Sequence, residues 1–519
     1  MTIARTITRN IASNWAGFAV NLAVIFFLTP IIIAHLGGEA YGLWLMLHSF
    51  VGYYGLVDMG LRAGIVQTIT RRIADNDSDS VRRHVGAALP ALAMLGGLLL
   101  LIATILAWAV ASSIDVSEEL RIQIIPVVLL SAASFCIQMM QAPYQSVLTG
   151  LQRFDIDNVY LVASRLISAV LTVGVLWNEG GLVGLACVTL LMAIFDGGLR
   201  WFRARRMYPA LVGLRWIRND AELKELWKAG FWNTMTYVSR QLIFFSDAIV
   251  ITYLIGSIAV VPFGIAGSMI GHCNRLVTLS VRVLFPAMAN LRSSDDVEKR
   301  RRLYFTMTRL VTGVSVAATI CGSVLLTPFV KLWLSNTDVL AAVQSQTPVL
   351  FLVLGCASIF VSFQRSGTQL LLAEGKIRSV AILYSGEALC NLVVSIGLGL
   401  VFGVVGIAIG TLLPAALFAT FGHLPRHAEI LHLPKAKVFA GVMARPALFA
   451  VCLSGFSFLY SRLFYPDGWP QFLGCCIVHG CIAISLLVVL LLEHEQRQVF
   501  LSAPGKLVRH LRRPIANSL

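Results

Sequence analysis

Apolar stretches of about 20 residues recur along the whole chain with short polar connections between them, and this decides the solvent in which it folds. A helix needs about 20 apolar residues to cross the hydrocarbon of a bilayer, and it must satisfy its own backbone polar groups there. About 14 such stretches can be placed, centred near Ala23, Phe50, Gly97, Phe135, Thr172, Leu191, Asp247, Gly271, Ala317, Ile359, Leu392, Ile409, Val451 and Ser485. Of 519 residues, 57% are hydrophobic and 13% charged, and the mean hydropathy is +0.79. Soluble chains carry about a quarter charged residues. The expected fold is therefore an all-α polytopic membrane protein.

The formal charge of +15 is not distributed like a nucleic-acid footprint. With the N-terminus inside, roughly 33 of the 41 Lys and Arg fall on one side and about 3 on the other, as the positive-inside rule describes. The basic loops are 71-RRIADNDSDSVRRH-84, 200-RWFRARR-206, 299-KRRR-302 and the tail 509-RHLRRP-514. Such loops anchor a protein against anionic lipid. They predict an inner-membrane protein with both termini cytoplasmic, whose partners are membrane lipids and no nucleic acid. The apolar run behind Arg5 and Arg9 is too long for a secretory leader and lacks a small-residue cleavage site, so it reads as a retained span.

No chemistry of catalysis is visible. There is no phosphate loop, no Ser-His-Asp or H-E-x-x-H arrangement, and nothing that calls for a cofactor or metal. All ten cysteines lie in or beside spans without metal-ligand spacing, as packing residues do. Of the histidines, only His272 is placed deep in a span. The chain reads as a transporter rather than an enzyme.

The chain also repeats itself. Residues 181-GLVGLACVTLL-191 and 403-GVVGIAIGTLL-413 share seven of eleven residues at an offset of 222. Upstream, at an offset of 219, Phe26 maps to Phe245, Gly37 to Gly256, Asp77 to Asp296, and Arg82–Arg83 to Arg301–Arg302. Six spans per copy return the chain to its starting side, so the copies share one orientation. The expected organisation is an N-terminal lobe (1–210), a cytoplasmic linker (211–228), a C-terminal lobe (229–427), and two further spans with a basic tail (428–519).

The stretch 28-LTPIIIAHLGGEAYGLWLMLHSFVGYYGLVDMGLRAG-64 resembles the opening of bacterial polysaccharide exporters. These are the flippases of undecaprenyl-diphosphate-linked oligosaccharides in the multidrug/oligosaccharidyl-lipid/polysaccharide superfamily. The features are Pro30, Leu36-Gly37, Tyr41-Gly42 and Asp58-x-Gly60-Leu61; 283-VLFPAMANL-291, 371-LLAEGKIR-378 and 403-GVVGIAIGT-411 are similar too. The resemblance implies a V-shaped transporter with a cationic cavity for a diphosphate-sugar headgroup, and a groove for the polyprenyl tail at spans 13 and 14. The partners it implies are the lipid-linked oligosaccharide together with a polysaccharide polymerase and export proteins. A multidrug/cation antiporter, a lipid II flippase and a non-transporting scaffold for glycan assembly are the competing readings.

Five arginines fall inside expected spans: Arg165, Arg240, Arg275, Arg282 and Arg365. Each costs about 2.5–3.5 kcal/mol at a helix centre, so each needs a partner or water. His272, Arg275 and Arg282 share a helix face at spacings of three and seven. A planar guanidinium binds phosphate oxygens bidentately and stays charged, which makes the five arginines the candidate substrate-binding residues. Asp247 and Glu387 are candidate coupling acids, or else structural partners of Arg240 and Arg365. Asp58 and Arg62, one turn apart, form either an interfacial ion pair or a gate.

Overall fold

The computed structural model describes residues 3–151, 154–211, 220–282, 297–493 and 497. Among the described residues every regular element is helical, and ten segments are long and apolar enough to cross a membrane. The first half of the chain holds α1 (Ile3–Ala74), α2 (Ser78–Ser113), α3 (Glu118–Gly150), α4 (Phe154–Trp177), α5 (Gly181–Met207) and α6 (Asp220–Leu254). It continues with α7 (Val260–Arg282), α8 (Val297–Trp333), α9 (Leu340–Ala373) and α10 (Ile377–Leu417). A π-helical turn at Phe418–His423 leads into the short α11 (Leu424–Leu431), followed by α12 (Lys435–Leu463) and α13 (Trp469–Leu491). Each expected span centre falls in one of these helices.

Helices α1 and α10 carry two centres each, and both are interrupted by a glycine in the left-handed region: Gly37 at φ 78° and Gly403 at φ 62°. A Cβ at such a φ costs about 1–2 kcal/mol, which is why glycine stands there. Their counterparts in the sequence echo behave alike. Gly256, after α6, has φ 126°, and Gly181, opening α5, has φ 55°. The echo is thus one of backbone conformation as well as residue type.

A second shared device lies in the packing. Gln141 of α3 donates from Nε2 to the carbonyl of Ala193 on α5 at 2.7 Å. Gln364 of α9 donates from Nε2 to the carbonyl of Ala415 on α10 at 3.0 Å. The two bridges are related by nearly the same sequence offset. Polar side chains buried between membrane helices act as links of this kind.

The residues cluster into two compact units. The first comprises Met1–Gly264, Trp333–Val343 and Tyr384–Ile407; the second comprises Ile265–Leu332, Gln344–Leu383 and Ala408–Leu519. In the first unit, Leu43 and Met46 of α1, Val85 and Leu92 of α2, Ile124 and Val127 of α3, and Leu182 of α5 form a fully buried core. Gly42 lets α1 approach Ser257 closely, since a Cβ there would stand 1.9 Å from the Ser257 carbonyl oxygen. In the second unit, Val316 of α8 packs with Phe449 and Leu453 of α12 and with Ala483 and Leu491 of α13. Outward, Phe27, Trp108, Val170, Leu400 and Phe421 are each more than 60% exposed. Large apolar residues displayed this way belong against lipid.

The histidines depart from expectation. His272 is only half-buried, whereas His84, His423, His427 and His479 are buried. Helical geometry accounts for two of them: Nδ1 of His84 donates to the Ser80 carbonyl at 2.8 Å, and Nδ1 of His479 to the Cys475 carbonyl at 2.9 Å. An imidazole bonded to the preceding turn has one ring nitrogen satisfied within its own helix. His427 lies beside Phe363, the rings tilted with centroids 5.2 Å apart, and the Tyr304 hydroxyl is 3.1 Å from its Nδ1.

Candidate functional site

The second unit brings together a polar cluster between α7 and α9. Nη1 of Arg365 donates to both the backbone oxygen and Oδ1 of Asn274, each at 3.1 Å. Ser358, two turns before Arg365 on α9, donates to the same Oδ1 at 2.9 Å. The Thr278 hydroxyl donates to the Asn274 carbonyl at 2.8 Å. Asn274 is therefore pinned through side chain and backbone together. Its neighbour Arg275 points about 100° further round the helix and is exposed. The geometry separates the two arginines: Arg365 is bonded to α7 through Asn274, while Arg275 is exposed on the surface of α7.

The first unit holds a different arrangement, between α6 and α10. Arg240 is exposed, with its guanidinium carbon 5.7 Å from the ring centre of Tyr384, a cation–π distance. One residue earlier, the hydroxyls of Ser239 and Ser385 are 2.9 Å apart. Asp247 on α6 and Glu387 on α10 are almost fully buried, as is Asn391 one turn beyond Glu387. These are the deep carboxylates that the sequence singles out.

Arg165 is exposed on α4. Asp58 and Arg62 lie on α1 and Arg282 ends α7, but their side chains fall outside the described residues. Among the described residues no group of three or more His, Cys, Asp and Glu is placed to hold a metal, and the ten cysteines are free thiols. Sequence reasoning missed Asn274, Ser358 and Tyr384. For the first of them the sequence does carry a signal, an Asn directly before an in-span Arg in 272-HCNR-275.

Comparison with known proteins follows the same lines. A family model described as polysaccharide biosynthesis protein matches residues 7–292. A putative O-antigen transporter of Shigella flexneri is 20% identical over 311 residues, covering 57% of this chain and 69% of that one. An inward-facing multidrug resistance transporter of the MATE family, in the MOP superfamily, is similar in structure with a TM-score of 0.66. That likeness is at 18% identity and covers 80% of this chain and 98% of the other. The lipid II flippase MurJ in an inward closed conformation has a TM-score of 0.65 at 12% identity, covering 92% and 98%. At these identities the likeness establishes the fold, that of polytopic transporters.

Proposed function

Because the chain belongs to the polysaccharide biosynthesis protein family, we propose that it moves a polyprenyl-diphosphate-linked oligosaccharide across the bacterial inner membrane, with both its termini cytoplasmic. The cargo passes from the inner to the outer leaflet by alternating access, with no chemical step, for O-antigen, capsule or exopolysaccharide assembly. The observation that carries this reading is the exposed Arg275 beside an Asn274 that Arg365 and Ser358 hold in place. An exposed guanidinium on a fixed helix suits a diphosphate, whose oxygens match its planar fork. Arg282, seven residues on, shares that face of the helix and is the second cation of this reading. A second reading, lipid II as cargo, is favoured by the likeness to MurJ.

The test is export in cells that depend on this chain. Arg275→Gln combined with Arg282→Gln should lower export roughly tenfold or more, the loss expected when a charge-assisted contact disappears. Membrane abundance should stay near normal, and Lys at either position should rescue part of the activity. Normal export from the well-expressed double variant would refute the binding role.

A further inference from the structure

Within the second unit, α8, α12 and α13 meet at the apolar cluster around Phe449. Beyond it, where α8 and α12 begin and α13 ends, lies a cavity of about 570 Å³, a volume typical of small-molecule sites. Four cations line it, Lys299, Arg301, Arg302 and Arg309, against two carboxylates, Glu298 and Glu493. Arg301 is committed to the protein: it donates to the carbonyls of Leu431 at 2.7 Å and His432 at 2.8 Å. Arg309 donates to the Gly441 carbonyl at 2.6 Å and lies against the Phe305 ring. These two form a rigid base.

Glu493 sits between two guanidiniums, 3.4 Å from Arg302 and 3.7 Å from Arg309. Both distances exceed the 2.7–2.9 Å of a well-formed charge-assisted bond, so neither of these two contacts is a tight one. Lys299 and Arg302 are exposed at the mouth. Alongside, α12 carries Lys435, Lys437 and Arg445 exposed at the same end, then turns apolar outward with Leu448 and Val451. A cationic cavity bordered by an outward apolar stripe matches a ligand that has an anionic head and hydrocarbon tails.

We propose that this cavity binds the phosphodiester headgroup of an anionic phospholipid, with Lys299 and Arg302 on the phosphate and the acyl chains along α12. Glu493 competes with the lipid for Arg302, holding the site partly closed when no lipid is bound. The inference is independent of which cargo the protein carries.

The experiment measures phosphatidylglycerol binding to the purified full chain by native mass spectrometry, with phosphatidylcholine as comparison. Lys299→Gln combined with Arg302→Gln should weaken phosphatidylglycerol about twentyfold, near the loss for two interfacial charges. Arg82→Gln with Arg83→Gln removes the same charge at exposed positions on α2, Arg83 being the counterpart of Arg302 in the sequence echo, and should change binding less than about twofold. Glu493→Gln should tighten it about fivefold. Equal losses in the two double variants would overturn the site, leaving only general surface attraction. Competition by soluble glycerol 3-phosphate at the potency of the lipid would overturn the lipid assignment in favour of a free phosphate ester. Binding of phosphatidylcholine as tight as that of phosphatidylglycerol would remove the electrostatic basis altogether.

Discussion

The Gln141–Ala193 bridge in the first repeat and the Gln364–Ala415 bridge in the second do the same job, yet the next residue tells the halves apart. After Gln364 comes Arg365, keyed to Asn274; after Gln141 comes Ala142, and the position matching Asn274 is Gly55. Arg240 and Asp247 likewise correspond to Asn21 and Leu28, and the exposed Arg165 to the buried Glu387. What the sequence echo keeps is the pair of bridging glutamines and the positive-φ glycines Gly37, Gly181, Gly256 and Gly403. Four of the five candidate arginines, Arg240, Arg275, Arg282 and Arg365, stand in its later copy and Arg165 in the earlier one.

The largest expected effect probes the scaffold where the halves differ in tightness. A Cβ at Gly406 would stand 2.1 Å from the Leu398 carbonyl oxygen, whereas at the corresponding Gly184 it would meet the Val175 side chain at 2.3 Å. Backbone cannot yield as a methyl group can. Gly406→Ala should destabilise by roughly 4 kcal/mol and deplete the protein from the membrane. Gly184→Ala should cost about 1–2 kcal/mol. Thermal unfolding of the purified variants compares them, and equal costs would break the distinction.

A smaller effect addresses the second-copy cluster. Arg365→Gln should cost about 2 kcal/mol of stability through the lost bonds to Asn274 and lower transport with it. In a double-mutant cycle with Asn274→Ala, the coupling should reach about 1–2 kcal/mol. Ala142→Arg in the first copy should not restore transport, since Gly55 offers no side-chain acceptor. Additive single effects would mean that Arg365 and Asn274 do not act together.

The smallest effect sharpens the symmetry itself. Gln364→Leu should cost only about 0.6 kcal/mol, the average for polar links between membrane helices. Gln141→Leu should cost more, about 1.5 kcal/mol, because its Oε1 also accepts from Nη1 of Arg200 at 2.9 Å, and the double variant should be additive to within about 0.5 kcal/mol. Equal costs would show that the Arg200 bond adds nothing to the first bridge.

Much of the scaffold was legible because it is written locally. Apolar run length sets the spans, and four of the five positive-φ glycines, Gly37, Gly181, Gly256 and Gly403, are pairs that echo at 219 and 222. The in-span arginines stood out for the same reason, as single costly residues in apolar runs. Their partners did not. Asn274 meets Arg365 from a distant helix, and Tyr384 reaches Arg240 in the same way; periodicity along one helix carries no trace of which face meets which. Seven-residue spacing draws attention to Asp247 as a partner for Arg240, while the ring beneath Arg240 belongs to α10. The buried histidines were missed because a bond to the preceding turn makes them acceptable in an apolar setting without any signal in the sequence.

The central claim is that the second copy alone supplies the anion site, with Arg275 as its exposed cation. Equilibrium binding of polyprenyl diphosphate to the purified protein tests it most directly, comparing wild type, Arg275→Gln and Arg275→Lys with a first-copy control, Arg165→Gln. The account predicts a loss of about tenfold or more for Arg275→Gln, a smaller loss for Arg275→Lys because charge remains without the fork, and a change of less than about twofold for Arg165→Gln. Binding unchanged in Arg275→Gln, or weakened as much by Arg165→Gln, would contradict it.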